Sequence, residues 1–379
     1  MIIFTCTVGW SQGPYPVPTA SMPSWCYFRG ITCDSIPTSA TYRSIKKISY
    51  QVRAPVVVSD VSTTLPSSIS NFINLDLLSL GNLAFRGTIP ASIYGMSALT
   101  FLDLSFNFFT GTIASALGTA TKLMELDLSS NLLNGTIPAS IYDISALTAL
   151  DLSSNSLTGT IASALGTATK LMELDLSYNS LRGTIPSIIG SLGSLTELHL
   201  NQNLLTGSIP SEIGSLGSLI VLVLTTNSLR GTIPSTIGSL GSVTYVSLSG
   251  NPLEGTIPST IVSMTKLAYL NLGQNSLTGT IPTNIGDIGT QLFYLALTNN
   301  QLTGTIPSTF NQLQLQSFNF NTNYLTMGSL STVPLSTFSA GTIALLRGDE
   351  LKNNCLAFVS GTFITTATRC KPTRGKLNI

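Results

Sequence analysis

One feature of this chain restricts its fold more than any other: it repeats itself at a fixed step. The motif G-[TS]-I-[PA] places glycines at Gly87, Gly111, Gly135, Gly159, Gly183, Gly207, Gly231, Gly255, Gly279 and Gly304, a step of 24 residues that becomes 25 only at the end. Within that series the 19-residue stretch GTIASALGTATKLMELDLS occurs twice without a change, from Gly111 and again from Gly159, so a two-coil block of 48 residues has been doubled. A single globular core has no use for such regularity. A stack of equivalent coils requires it, because no unit buries its apolar face alone and each neighbour completes the core.

Each unit reads L-x-x-L-x-L-x-x-N-x-L-x-G-x-I-P, as in Leu147, Leu150, Leu152, Asn155, Leu157, Gly159 and Ile161. The L-x-L piece alternates and predicts a short strand with both leucines on one side. The remainder, such as PSTIGSLGSL from Pro234, lacks alternation and carries Pro and Gly, so it predicts a turn or short helical return. A polar column accompanies the leucines: Asn107, Asn131, Asn155, Asn179, Asn203, Asn227, Asn251, Asn275, Asn300 and Asn323. Catalysis would need one or two such residues. A full column points to structure, with each amide bonding backbone where its coil turns and bonding the neighbouring coil as well.

The unit resembles the leucine-rich repeat, in the 24-residue subclass of extracellular plant receptor ectodomains and polygalacturonase inhibitors. The hallmark L-x-G-x-I-P stands in nearly every copy. The resemblance implies an α/β-type leucine-rich repeat solenoid: a curved right-handed coil of about 11–12 repeats, with a parallel sheet on its concave face. At the strand spacing of about 4.8 Å such a stack spans roughly 55 Å. It also implies caps at both ends. The piece WCYFRGITC resembles the family's N-terminal cap, so a Cys26–Cys33 disulfide is implied, and Cys355 with Cys370 would staple the other end. The organisation expected is a segment and cap over 1–44, repeats over 45–328, and a C-terminal cysteine cap with a basic tail over 329–379.

All five cysteines, Cys6 included, lie outside the repeats. A zinc site is the rival reading of the capping cysteines, but the only histidine, His199, is far from them. Disulfide-stapled caps would set the chain in an oxidising, extracellular compartment. Cys6 is then lost with a signal peptide, free, or paired between chains. The apolar start MIIFTCTVGW is either the remnant of a secretion signal or mature sequence in which Trp10 belongs to the cap.

Net charge is +1 and charged residues make up 9% of the chain, which argues against a nucleic-acid partner because phosphate binding needs clustered Lys and Arg. No run of 18 apolar residues predicts a membrane span. Ser and Thr number 99, so the surface is chiefly hydroxyl. It suits carbohydrate, attached glycan or contact with copies of itself.

Stacked coils turn equivalent positions into columns. The outward strand positions carry acids in the N-terminal half: Asp103, Glu125, Asp127, Asp151, Glu173, Asp175 and Glu197, followed by His199. Stacked like charges repel, which points to tolerance or to a cationic partner. The C-terminal half carries Tyr245, Tyr269 and Tyr294. Aromatics on a rigid face suit interfaces and sugar sites, although they are also ordinary strand residues. Another face carries Thr columns flanking the glycines. They are interrupted by Arg86, Arg182, Arg230 and Glu254, and include the one glycosylation sequon, Asn134-Gly135-Thr136.

Catalysis needs titratable groups that converge in a pocket. A triad of Ser177, His199 and Asp175 would lie on an open strand surface with nothing to exclude water. No calcium loop or phosphate-cradling loop is present. Neither an enzyme nor a cofactor or metal site is expected. The leading expectation, from the family resemblance, is a recognition module that binds an extracellular protein, peptide or glycan on the concave face. The alternative is a structural protein that assembles into a filament, sheath or surface layer, since near-identical repeats match one another and head-to-tail contacts need not close. A minor alternative is ice binding through the Thr columns.

Overall fold

Each 24-residue unit closes one coil. A computed structural model describes residues 64–325, together with the backbones of the strands Ile3–Thr5, Lys47–Ser49, Leu356–Val359 and Thr362–Thr365. Cys6, Cys26, Cys33, Cys355 and Cys370 lie outside the described residues, and the expected caps with them. The chain forms two compact units, residues 1–204 and 205–379. Both are built in the same way.

In the first unit every coil contributes one three-residue strand to a parallel sheet: Leu77–Ser79, Phe101–Asp103, Glu125–Asp127, Ala149–Asp151, Glu173–Asp175 and Glu197–His199. The register repeats, with Asp103 opposite Asp127, Asp127 opposite Asp151, Asp151 opposite Asp175 and Asp175 opposite His199. Lys47–Ser49 pairs with Leu77–Ser79, and Ile3–Thr5 with Lys47–Ser49. In the second unit Val221–Val223, Tyr245–Ser247, Tyr269–Asn271, Tyr294–Ala296 and Ser317–Asn319 pair in sequence order. Their central residues point inward and are buried, as Leu126, Leu150, Leu174 and Leu270 illustrate. Each such leucine contributes about 1.5–3 kcal/mol when removed from water.

After the strand the chain turns at a residue in the left-handed region, such as Ser130 at φ 52 or Tyr178 at φ 53. The asparagine column closes that turn. Asn131 Nδ2 donates to the carbonyls of Leu128 and Ser129 in its own coil and of Leu104 in the coil before, while its Oδ1 accepts the Phe109 N–H. Asn155, Asn179 and Asn203 repeat this arrangement in the first unit, and Asn251, Asn275, Asn300 and Asn323 in the second. Asn107 accepts from Leu83 and Phe85, and Asn227 from Leu205.

The x-G-T segments make a second set of short parallel strands: Arg86–Thr88, Phe108–Thr112, Leu132–Thr136 and Ser156–Thr158 in the first unit, and Gly231–Thr232 with Leu253–Glu254 in the second. Glycine is required here twice over. Gly135 has φ 75, and a Cβ on it would lie 2.8 Å from the Thr112 methyl. Proline or alanine then leads into a five-residue 3-10 helix, as at Pro186 (φ -70) before Ser187–Ser191. Proline holds the φ that this entry needs.

The 48-residue doubling has a packing counterpart. Over four coils of the first unit, one position of the 3-10 segment alternates Tyr94, Gly118, Tyr142 and Gly166, and two residues later Met96, Ala120, Ile144 and Ala168. Both tyrosines and all four of the latter residues are buried. Large and small residues thus alternate from coil to coil at two core positions, which is how facing layers fill space evenly. The pair of coils, not the single coil, is the unit that preserves core volume when copied.

Candidate recognition surface

The acidic positions of the first unit stand outward on its sheet, but they are partly committed to the fold. The LDLS segment must turn immediately after the strand. Asp127, Asp151 and Asp175 each accept the N–H of the serine two residues on, at 2.8 Å, and Asp103 accepts the corresponding Ser105 N–H at 3.0 Å. Asp103 also accepts the hydroxyls of Ser105 and Ser79. Asn271 and Asn319 play the same part in the second unit. The signal for this role is the spacing D-x-S, a side chain bonding backbone two residues ahead, and a reading by charge passes over it.

Half-burial pushes the Asp151 carboxyl up to about 6, aided by the like charges of Asp127 and Asp175 on either side. Burial raises Asp127 as well, with Asp103 adding to it. Glu173 is raised by burial and then by Glu197. Glu125 stands exposed opposite Ala149, and His199 Nε2 lies 3.4 Å from Glu197 Oε2.

In the second unit Tyr245, Tyr269 and Tyr294 occupy equivalent outward positions. Their rings stack face to face. Tyr245 and Tyr269 lie 4.1 Å apart at 6°, and Tyr269 and Tyr294 4.2 Å apart at 3°. The middle ring is therefore covered on both faces, and the stack presents edges and hydroxyls rather than three open faces. Burial, followed by the Tyr269 hydroxyl, pushes the Tyr245 phenol up to about 12.

On the x-G-T segments the Thr side chains have a fixed orientation. The methyl of Thr112 seats against Gly135, that of Thr136 against Gly159, and that of Thr232 against Gly255. These threonines are exposed, so the hydroxyl is the group that faces out. In the adjoining column Thr158, Thr278 and Thr303 donate to the carbonyls of Gly135, Gly255 and Gly279. Asn134 is exposed mid-strand, opposite Thr112 and Ser156.

Sequence columns drawn through the strand overlook exposed apolar residues beside the turn. Phe106 is 62% exposed and Leu132 50%, and the Arg86 guanidinium lies 4.7 Å from the ring centre of exposed Phe108. Met124 and Met172, two coils apart, are exposed where the chain enters its strands. Their signal is the position flanking the asparagine or preceding the strand, where apolar residues are not needed for the core.

Among the described residues no helix is long and apolar enough to cross a membrane. A leucine-rich repeat family model matches residues 106–157 and 147–205, and a second model of the repeat matches 242–264, 266–288 and 291–313. No curated protein matches the chain. Among solved structures, the Arabidopsis receptor kinase HAESA, in complex with the peptide hormone IDA and a co-receptor, aligns at TM-score 0.71 and 31% identity, over 80% of this chain and 50% of that one. A plant ice-binding protein aligns at TM-score 0.53 and 33% identity, over 60% of this chain and 75% of that one. A leucine-rich repeat protein of Leptospira interrogans aligns at TM-score 0.57 and 30% identity, over 70% of this chain and 72% of that one. The chain spans about half the length of the plant receptor structures it matches. With its 24-residue step, its parallel sheet of L-x-L strands and these similarities, the chain belongs to the leucine-rich repeat family, in its plant type.

Proposed function

We propose that this chain is an extracellular, non-enzymatic recognition module that binds a peptide or glycan of another molecule on the outward, concave face of its strands. The observation that carries this reading is the tyrosine stack. While the asparagine and glycine of the coil repeat unchanged and the core positions stay apolar, the outward strand positions run Val221, Tyr245, Tyr269, Tyr294 and Ser317 in the second unit. A rigid row of phenol edges and hydroxyls supplies the aromatic and hydrogen-bonding contacts from which binding hot spots are made. The plant receptor structures that the chain resembles include one solved with a peptide hormone, which supports a peptide as the first class to test. On the first unit's own sheet, the acidic positions Glu125, Glu173 and Glu197 would favour a cationic ligand. The experiment is a screen of peptide and glycan arrays with the purified protein, followed by calorimetric titration of any hit against wild type and Tyr269→Ala. Truncating a central aromatic contact should weaken binding roughly tenfold or more. Hits that bind Tyr269→Ala and Glu173→Gln as tightly as wild type would refute the assignment to this face.

A second reading is ice binding on the Thr face. It is favoured by the methyl-on-glycine packing, which holds a row of hydroxyls in one rotamer, and by the likeness to a plant ice-binding protein. Arg86, Arg182, Arg230 and Glu254 interrupt that face. Thermal hysteresis and ice-recrystallisation assays test it directly, and ice crystals that grow unaltered in the wild-type protein dismiss it. Light scattering of the same preparation separates a discrete binder from a filament former.

A further inference from the structure

Stacking of three tyrosines on neighbouring strands has a chemical consequence separate from ligand binding. Parallel strands hold equivalent residues about 4.8 Å apart. The rings here lean closer than that, at 4.1 and 4.2 Å between centres and within 6° of parallel. The register places Tyr245 opposite Tyr269 and Tyr269 opposite Tyr294, so each phenol lies ring against ring with that of the next coil. All three side chains are half-buried on the outward surface of the sheet and so reach solvent. The other described tyrosines differ. Tyr94 and Tyr142 are sealed in the core, while Tyr178 and Tyr324 are exposed, and none of these four stacks on another tyrosine among the described residues.

We propose that the Tyr245–Tyr269–Tyr294 stack is a site of oxidative cross-linking, at which a one-electron oxidant of the haem-peroxidase class, consuming hydrogen peroxide, joins Tyr269 to a neighbouring tyrosine as dityrosine. Each of two phenols gives up one electron and its hydroxyl proton to become a phenoxyl radical. A carbon–carbon bond forms between an ortho carbon of each ring. The hydrogen on each of these carbons is then lost as a proton while each oxygen regains one, restoring two phenols. Two hydrogens leave the protein in all, as two protons and two electrons, and one hydrogen peroxide is reduced to two waters. Because the Tyr245 phenol is pushed up to about 12 and stays protonated at neutral pH, its electron and proton depart together. Tyr269 is the necessary member, since it stacks on both others, whereas Tyr245 and Tyr294 stand two strands apart with its ring between them. The product staples adjacent coils side chain to side chain, in a stretch that holds no cysteine.

The test treats the intact protein with a haem peroxidase and hydrogen peroxide, isolates the monomer fraction, and maps it after trypsin. Lys266 lies between Tyr245 and Tyr269, so a bond between them joins the peptides 231–266 and 267–347. A bond between Tyr269 and Tyr294 instead leaves 267–347 in one piece, lighter by two hydrogens. Dityrosine fluorescence in the monomer with either product is the expected result, lost in Tyr269→Phe and retained in Tyr178→Phe. The phenylalanine keeps the ring in the stack, and an unchanged circular dichroism spectrum verifies that the variant folds. Dityrosine found only in cross-linked dimers, dityrosine that persists in the monomer of Tyr269→Phe, or none in the wild-type monomer overturns the proposal.

Discussion

Removal of one ladder asparagine should cost more than a typical core polar substitution, and Asn131 shows why. The residue is 6% exposed. Its Oδ1 accepts the Phe109 N–H at 3.0 Å, and its Nδ2 faces the carbonyl oxygens of Leu104 at 2.9 Å and of Leu128 and Ser129 at 3.1 Å. A primary amide has two hydrogens, so those three acceptors share two donors. Asn131→Ala removes about three net hydrogen bonds, each worth about 1 kcal/mol, and strands the N–H of fully buried Phe109, for a total near 3–5 kcal/mol. Asn131→Asp is the discriminating variant. It keeps the acceptor for Phe109 but turns a second oxygen toward three carbonyl lone pairs, so it should be no better than alanine. If polarity alone sufficed at this position, aspartate would rescue. Because each coil touches only its neighbours, the damage should be local. Urea unfolding gives the overall loss, and amide exchange read by mass spectrometry should show Phe109 losing protection by roughly a hundredfold or more. A loss under about 1 kcal/mol, unchanged exchange at Phe109, or an aspartate variant as stable as wild type would refute the reasoning.

Other outcomes follow from the same structure. The hydroxyl of Tyr142 is buried without a hydrogen-bond partner among the described residues, so Tyr142→Phe should hold or raise stability by about 1 kcal/mol, measured by thermal denaturation; a marked loss would mean that a partner is present. Gly135→Ala forces a Cβ into the Thr112 methyl at φ 75 and should destabilise by about 1–2 kcal/mol or more, whereas Gly95→Ala, with no atom within 4 Å of its added Cβ, should be neutral or slightly stabilising. Asp151 titrates near 6 in the folded state, above its unfolded value, so its contribution to stability is complete below about pH 4 and is lost as pH rises through 6. Asp127 and Glu173 shift in the same direction. Asp151→Asn, which keeps an acceptor for the Ser153 N–H, should therefore gain about 1–2 kcal/mol at pH 7 and little at pH 4, by urea unfolding at both. An equal effect at the two values would show that desolvation of the charge is not the cause.

The repeat was legible because its signals are local and periodic. The L-x-L spacing marks a strand with both leucines inward, and proline before the return segment restricts φ where the 3-10 helix starts. The outward face was less legible. Asp127, Asp151 and Asp175 read as free charge along the chain, yet one oxygen of each accepts the backbone N–H two residues on, a bond that depends on how the chain turns after the strand. Phe106, Phe108 and Leu132 went unnoticed because they resemble core residues until burial separates them from Phe109 and Leu133.

By itself the sequence determined the coil, its period and the residues that line its core, because each coil faces a copy of itself and a local pattern is enough to specify that contact. Tertiary structure alone decided what the repetition does not encode. It seats Thr methyls, such as those of Thr112, Thr136 and Thr232, on the glycine of the next coil and leaves the hydroxyl outward. It closes three tyrosine rings into one stack, ring against ring. It places Tyr94 and Tyr142 inside the core rather than on the surface. These are relations between residues about one coil apart, set by rotamer and close approach, and a column of letters contains neither.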